Sequence, residues 1–174
     1  MLYQYFMKIS SGSFRLARLM LLEKRSPMMP AFLLRTERRL DAMPFGRLSW
    51  LSGPEVSDAQ ALTIMEVQLE PAGGHSFHFH EDQEELIYVL QGRIEQWLGQ
   101  EHRILEPGDA IVIPRKAVHA TFNAFSEQAR VLAILGPCVG ANGYESVDVH
   151  GRAPWNGWRP ESAATGDAQA PAHA

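Results

Sequence analysis

His75-Ser76-Phe77-His78-Phe79-His80-Glu81-Asp82-Gln83-Glu84-Glu85 is the stretch from which the rest of the chain is read. It holds three of the seven histidines and runs straight into carboxylates. His78 and His80 are two residues apart, so an extended strand points both to one face. Paired imidazoles on a rigid strand, followed by a carboxylate, are the donor set of a transition-metal site. A solvent-facing polar strand with a chance histidine pair is the plain alternative. By parity His75, three residues before His78, faces the other way on a straight strand and is expected at a barrel rim or behind the ligands, in a structural rather than a catalytic role.

Outward from this stretch the chain reads as strands. Runs rich in Val, Ile, Leu, Phe and Trp recur from Gly46 onward, separated by Gly, Pro, Asp and Asn. The predicted strands are 47–51, 62–69, 75–80, 85–90, 93–98, 102–105, 110–113, 118–122, 130–135 and 146–149. Short strands at close spacing, with little helical pattern between them, predict an all-β antiparallel sandwich or barrel. Gly92 and Gly99-Gln100 read as hairpin turns, and Glu106-Pro107-Gly108-Asp109 as a strong turn. A short helix is expected over 32–40, stopped by Pro44. Trp155 and Trp158, in a loop-like setting, are expected to pack over a core or a subunit interface.

At 174 residues the chain suffices for one domain with a full core. Residues 1–40 carry eight Lys/Arg against two Asp/Glu, and residues 41–174 carry eight against eighteen. The expected organisation is a basic N-terminal extension over 1–40, a barrel over 41–150, and a C-terminal extension over 151–174. Residues 160–174, rich in Ala, Pro, Gly and Ser, cannot bury enough apolar surface to order themselves and are expected to be disordered. The break at Ser26-Pro27 also makes Met28 or Met29 an alternative start of translation. A net charge of -4 gives no argument for a nucleic-acid partner, and no apolar run is long enough for a membrane helix. Cys138, the single cysteine, allows no internal disulfide, which fits a cytoplasmic location. It reads as a small hydrophobe at a strand end.

The second informative stretch runs from Gly108 to Asn123. A turn enters an apolar strand, Pro114 leaves it, and a further strand places His119 and Thr121 on one face, with Val118, Ala120 and Phe122 on the other. Together the two stretches resemble the cupin superfamily. Its first motif, G-x5-H-x-H-x(3,4)-E-x6-G, is matched by His78-x-His80-x4-Glu85-x6-Gly92. Its second, G-x5-P-x-G-x2-H-x3-N, is matched by Gly108-x5-Pro114-x4-His119-x3-Asn123. Ala72 stands where the first motif begins with glycine, although Gly73-Gly74 follows at once and can make the same turn, and Lys116 replaces the glycine of the second, so that turn is expected to differ in shape. The resemblance covers roughly residues 60–137.

The resemblance implies a double-stranded β-helix, a jelly-roll barrel of the RmlC-like kind. It implies that His78, His80, Glu85 and His119 hold one divalent metal inside it. Glu85 is an odd number of residues from His80, so Glu81-Asp82-Gln83 must turn the chain. Glu84 is the rival ligand, and alternation does not choose between them, because Leu86/Tyr88/Leu90 and Ile87/Val89 are both apolar, but the motif spacing to Gly92 favours Glu85. Three imidazoles and a carboxylate suit Fe, Mn, Ni, Cu or Zn with open positions for a small molecule. The implied function is an oxygenase-type enzyme, then an isomerase or decarboxylase, with Glu85 as a candidate base and a homodimer as the assembly. The alternative is a non-catalytic ligand-binding or sensor cupin. Nothing before the barrel reads as a DNA-binding helix-turn-helix, and an intact ligand set speaks against metal-independent sugar-nucleotide epimerisation. Arg115 and Lys116 read as a solvated turn. Gln96, Trp97 and Tyr88 are candidates for the barrel lining.

Overall fold

The β-branched and aromatic runs pair into eleven antiparallel strands in the computed structural model, which describes residues 32–158. These are β1 (Leu40–Met43), β2 (Gly46–Ser52), β3 (Thr63–Leu69), β4 (Gly74–Phe79), β5 (Glu84–Gln91), β6 (Ile94–Leu98), β7 (Glu101–Leu105), β8 (Ala110–Ile113), β9 (His119–Phe122), β10 (Ala129–Gly136) and β11 (Val147–Asp148). One sheet has the order β1-β2-β3-β10-β5-β8 and the other β11-β4-β9-β6-β7. Each of the ten expected strands is present, and the architecture is the antiparallel jelly roll.

The helix expected over 32–40 is a single 3-10 turn at Arg35–Glu37, and Leu40 already belongs to β1. Local pattern misled here because β1 is a four-residue hairpin partner of β2, with Leu40 opposite Ser49 and Met43 opposite Gly46. Its extended form comes from that pairing rather than from its own propensity. The start of the chain up to residue 31, with the alternative start, and the tail from residue 159 lie outside the described residues.

Turns place the strands in two layers. Gly99-Gln100 closes the β6–β7 hairpin, as expected. Gly92 does not close a hairpin: β5 pairs with β10 and β8, β6 pairs with β7 and β9, so Gly92 carries the chain from one sheet to the other. Its φ is 71°, and a Cβ there would come within 2.6 Å of the Gln128 carbonyl oxygen, so glycine is required twice over. At 106–109 the Asp109 N–H donates to the Glu106 carbonyl at 2.9 Å.

Ala72 and Lys116, the two departures from the motif glycines, both have φ of 64°. Both residues thus adopt the left-handed conformation without glycine, which corrects the expectation of an altered turn at Lys116. Backbone bonds hold both in place: Ala72 N–H donates to Asn123 O at 3.0 Å, and Lys116 N–H to His80 O at 2.8 Å.

The core lies between the sheets. Phe45, Leu69, Ile87, Val89, Ile94, Ile113 and Val131 form its main cluster, while Trp50, Met65, Ala133 and Leu135 continue it toward the site. Outside the second sheet, Phe77, Ala120 and Phe122 pack under Trp97, Trp155 and Trp158. The two late tryptophans thus cover an apolar face, their rings 5.6 and 5.9 Å from that of Phe77.

Candidate metal centre

The site is built where β4, β5 and β9 meet. His78 on β4 is the register partner of His119 on β9. His80 follows the end of β4, and Glu81-Asp82-Gln83 turns the chain into β5, whose second residue is Glu85. Glu85 pairs with Leu135 and Ile113, both core residues, so it faces inward and is 7% exposed. Glu84, one residue earlier, faces outward and is exposed. Sheet parity therefore decides what the apolar alternation of β5 left open.

One ligand atom from each of His78, His80, Glu85 and His119 lies within 4.8 Å of the others, and all four residues are buried. Their tautomers follow from their neighbours. Nδ1 of His78 is 2.7 Å from Ser76 O, Nδ1 of His119 is 3.0 Å from Ala117 O, and Nδ1 of His80 is 2.6 Å from Glu145 O. A carbonyl oxygen only accepts, so each Nδ1 carries the proton and each Nε2 presents a lone pair to the cluster.

Those lone pairs converge on a carboxylate. Glu85 Oε2 lies 3.2 Å from Nε2 of His80 and 2.9 Å from Nε2 of His119. The His119 contact is close without being a hydrogen bond, and Nε2 of His78 and His119 are buried with no hydrogen-bond partner. Unpaired buried polar atoms are costly. Acceptors packed against acceptors need a cation among them, either a proton or a metal ion. Burial pushes the Glu85 carboxyl up, but hydrogen bonding and charge from His119 and His80, when these carry the Nε2 proton, outweigh it and hold it well below the usual carboxylate range. Burial, then the neighbouring His75, His119 and His80, holds the His78 imidazole well below its ordinary value. The cluster therefore offers an ionised carboxylate beside a neutral imidazole, the forms that bind metal.

His75 is not on the far side of β4. The β4–β9 register runs from His75↔Thr121 to His78↔His119, three residues on one strand against two on the other. This bulge reverses the parity, and the His75 ring packs 3.9 Å from that of His78. Burial pushes its imidazole down to about 4. A bulge is set by pairing between distant strands, so residue spacing alone misplaced it.

Gln96 is buried inside the barrel and accepts a 2.6 Å hydrogen bond from the Thr121 hydroxyl, two strands' worth of polar lining in one contact. Trp97 belongs to the outer aromatic cluster, and Tyr88 faces outward at 39% exposed. Arg115 is exposed, and Lys116 pairs with Glu81 at 2.5 Å on the surface. Tyr144 was not singled out from the sequence, yet its ring lies 5.3 Å from that of His80. Burial pushes its phenol up, so it stays neutral and able to donate. It sits on a segment without strand pattern, which is why no periodicity marked it. Cys138 is half-buried at the end of β10, where its thiol donates to Ala59 O at 3.3 Å.

Among known proteins, the profile of the family described as Cupin domain matches residues 65–135. No curated relative is similar enough in sequence to match. The solved structure of KdgF from Halomonas sp. is similar at 25% identity and a TM-score of 0.55, covering 62% of this chain and 94% of that one. The polyketide cyclase RemF from Streptomyces resistomycificus is similar at 24% identity and a TM-score of 0.59, covering 78% and 99%. The oxalate decarboxylase of Lactobacillus farciminis, solved as a formate complex, is similar at 19% identity and a TM-score of 0.60, covering 82% of this chain and 43% of that one.

Proposed function

We propose, from the Cupin domain that residues 65–135 match, that this chain is a metal-dependent enzyme acting on a small molecule. One observation carries the reading: the Nε2 atoms of His78 and His119, buried without a hydrogen-bond partner, converge with His80 and the Glu85 carboxylate. His78, His80, Glu85 and His119 would hold the ion. A divalent metal there supplies Lewis acidity toward a substrate oxygen and, if it is redox-active, oxygenase-type chemistry, which is the class we assign first.

The chain's own groups do the rest. The three backbone carbonyls on Nδ1 fix the imidazoles, and Glu85 is the group positioned to take up a proton at Oε2. Tyr144 packs its ring 5.3 Å from that of His80 and keeps a neutral phenol. That half-buried neutral phenol also supports a second reading, redox-neutral isomerisation or decarboxylation, in which proton transfer is the chemistry.

We assign the barrel domain to 41–150, flanked by the two extensions, and the assembly to a homodimer. The outer face of the larger sheet supports the dimer. Ile64, Ile134, Leu86 and Val112 are successive register partners on four adjacent strands and form one apolar row, with Leu132 and Tyr88 beside it. Val112 is 63% exposed, and a contiguous apolar face of this kind marks an interaction surface. It also explains why both faces of β5 are apolar in the sequence. Among the described residues no helix is long and apolar enough to cross a membrane.

The test is metal content by inductively coupled plasma mass spectrometry on tag-free protein, with His119→Ala beside it, followed by oxygen uptake with small carboxylate and carbonyl compounds. About one equivalent of iron, manganese or copper with substrate-dependent oxygen uptake supports the oxygenase assignment. About one equivalent of metal with turnover but no oxygen uptake selects the second reading. Metal without turnover of any compound moves the protein to the ligand-binding class. No metal after reconstitution refutes the site.

A further inference from the structure

Two of the three imidazoles are held by carbonyls close by in the chain. The Nδ1 acceptor of His78 is two residues before it, and so is that of His119. His80 differs: its Nδ1 donates to Glu145 O, 65 residues away. That carbonyl lies in the segment between β10 and β11, which has no strand or helix of its own. Something must fix this segment if His80 is to be fixed.

Gln83 is placed to do so. It is 1% exposed, in the turn between His80 and Glu85. Its Nε2 donates to Pro137 O at 2.7 Å and to Gly143 O at 2.9 Å, and its Oε1 accepts from Glu145 N at 3.1 Å. Two carbonyls demand the amide nitrogen and one N–H demands the oxygen, so the amide has a single orientation. The Thr63 hydroxyl adds a 2.6 Å bond to Gly143 O.

We propose that Gln83 is a positioning residue: it straps residues 137–145 to the turn between two ligands so that the Glu145 carbonyl holds His80 with its Nε2 toward the cluster. The turn that brings Glu85 in thus also orients His80. With the strap released, His80 loses its only Nδ1 acceptor among the described residues, and either ring nitrogen can carry the proton. Partners that orient a ligating histidine set metal affinity by about 10–100-fold. The affinity part rests on the metal reading above; the tautomer part does not.

The experiment is nitrogen-15 NMR of His80 in metal-free protein, wild type and Gln83→Met, which keeps the side-chain length without its hydrogen bonds. Cobalt(II) titration of both proteins follows. The expected wild-type signal is one Nδ1–H tautomer. The expected variant shows both tautomers at His80, with His78 and His119 unchanged, and binds cobalt about 10–100-fold more weakly. A single Nδ1–H tautomer at His80 in the variant overturns the proposal, because a staple that only stabilises the loop would leave the ring alone. If neither protein binds cobalt, the metal reading fails while the tautomer comparison still decides. If Gln83→Met does not fold, hydrogen exchange in the wild type takes its place. The His80 Nδ1 proton and the Glu145 amide should exchange together, and a fast Nδ1 proton beside a protected amide overturns the proposal.

Discussion

Acidifying the metal-free protein should cost stability through His75, and the amount follows from where the β4 bulge puts its ring. In the unfolded chain this imidazole titrates near 6.5, and in the fold burial pushes it to about 4. Between those values the unfolded state binds the proton and the folded state does not. Stability therefore rises with pH across the window and is lost as pH falls from about 6.5 to about 4. One such proton over that span is worth about 3 kcal/mol. His78 is depressed further and adds a second proton in the same direction. The Glu85 carboxyl is held below its ordinary 4.5, so its contribution is intact above that pH and is lost only below it. The slope between pH 6 and 4.5 should thus approach two protons, about 3 kcal/mol per pH unit, and fall to about 1 in His75→Gln. Set against a total of roughly 5–15 kcal/mol, this brings the metal-free wild type close to unfolding near pH 4–5. Urea unfolding of chelator-treated protein at several pH values measures both slopes. Equal slopes in the two proteins would mean that the His75 ring is open to water and that the bulge does not turn it inward.

Replacing Glu85 by Gln should lower bound divalent metal at least about tenfold, whereas Glu84→Gln should leave it unchanged, by mass spectrometry of dialysed protein. Equal losses would break the parity argument for β5. Ala72→Gly should raise stability by about 0.5–1 kcal/mol, since relief of the left-handed conformation outweighs the added freedom of the unfolded chain. Lys116→Gly should shift the melting temperature in the same direction, because its exposed pairing with Glu81 contributes little. A fall in either melting temperature contradicts the backbone assignment. Val112→Glu should turn a dimer into a monomer by light scattering without changing the fold, and an unchanged mass would remove the apolar row as the interface.

Much of the architecture is legible in residue order because it rests on local rules. Alternating apolar runs mark β2 to β11, and the turn residues between them mark where the chain reverses. The pairing His78-x-His80 places two imidazoles on one face by strand parity alone. The helix over 32–40 fails for the opposite reason: β1 exists only through its hairpin with β2. Gly92 reads as a turn correctly, but whether it joins neighbours or crosses between sheets depends on which strands pair.

What residue order determined, then, is the fold class, the two motif stretches and the residue types of the cluster, each a property of short-range spacing. Only the tertiary structure turned Glu85 inward and Glu84 outward, brought His75 against His78, and set the Tyr144 ring and the Glu145 carbonyl on His80. Each of these depends on strand register or on a contact between residues far apart in the chain. Register is settled by the summed packing of both sheets, a quantity that no local stretch carries.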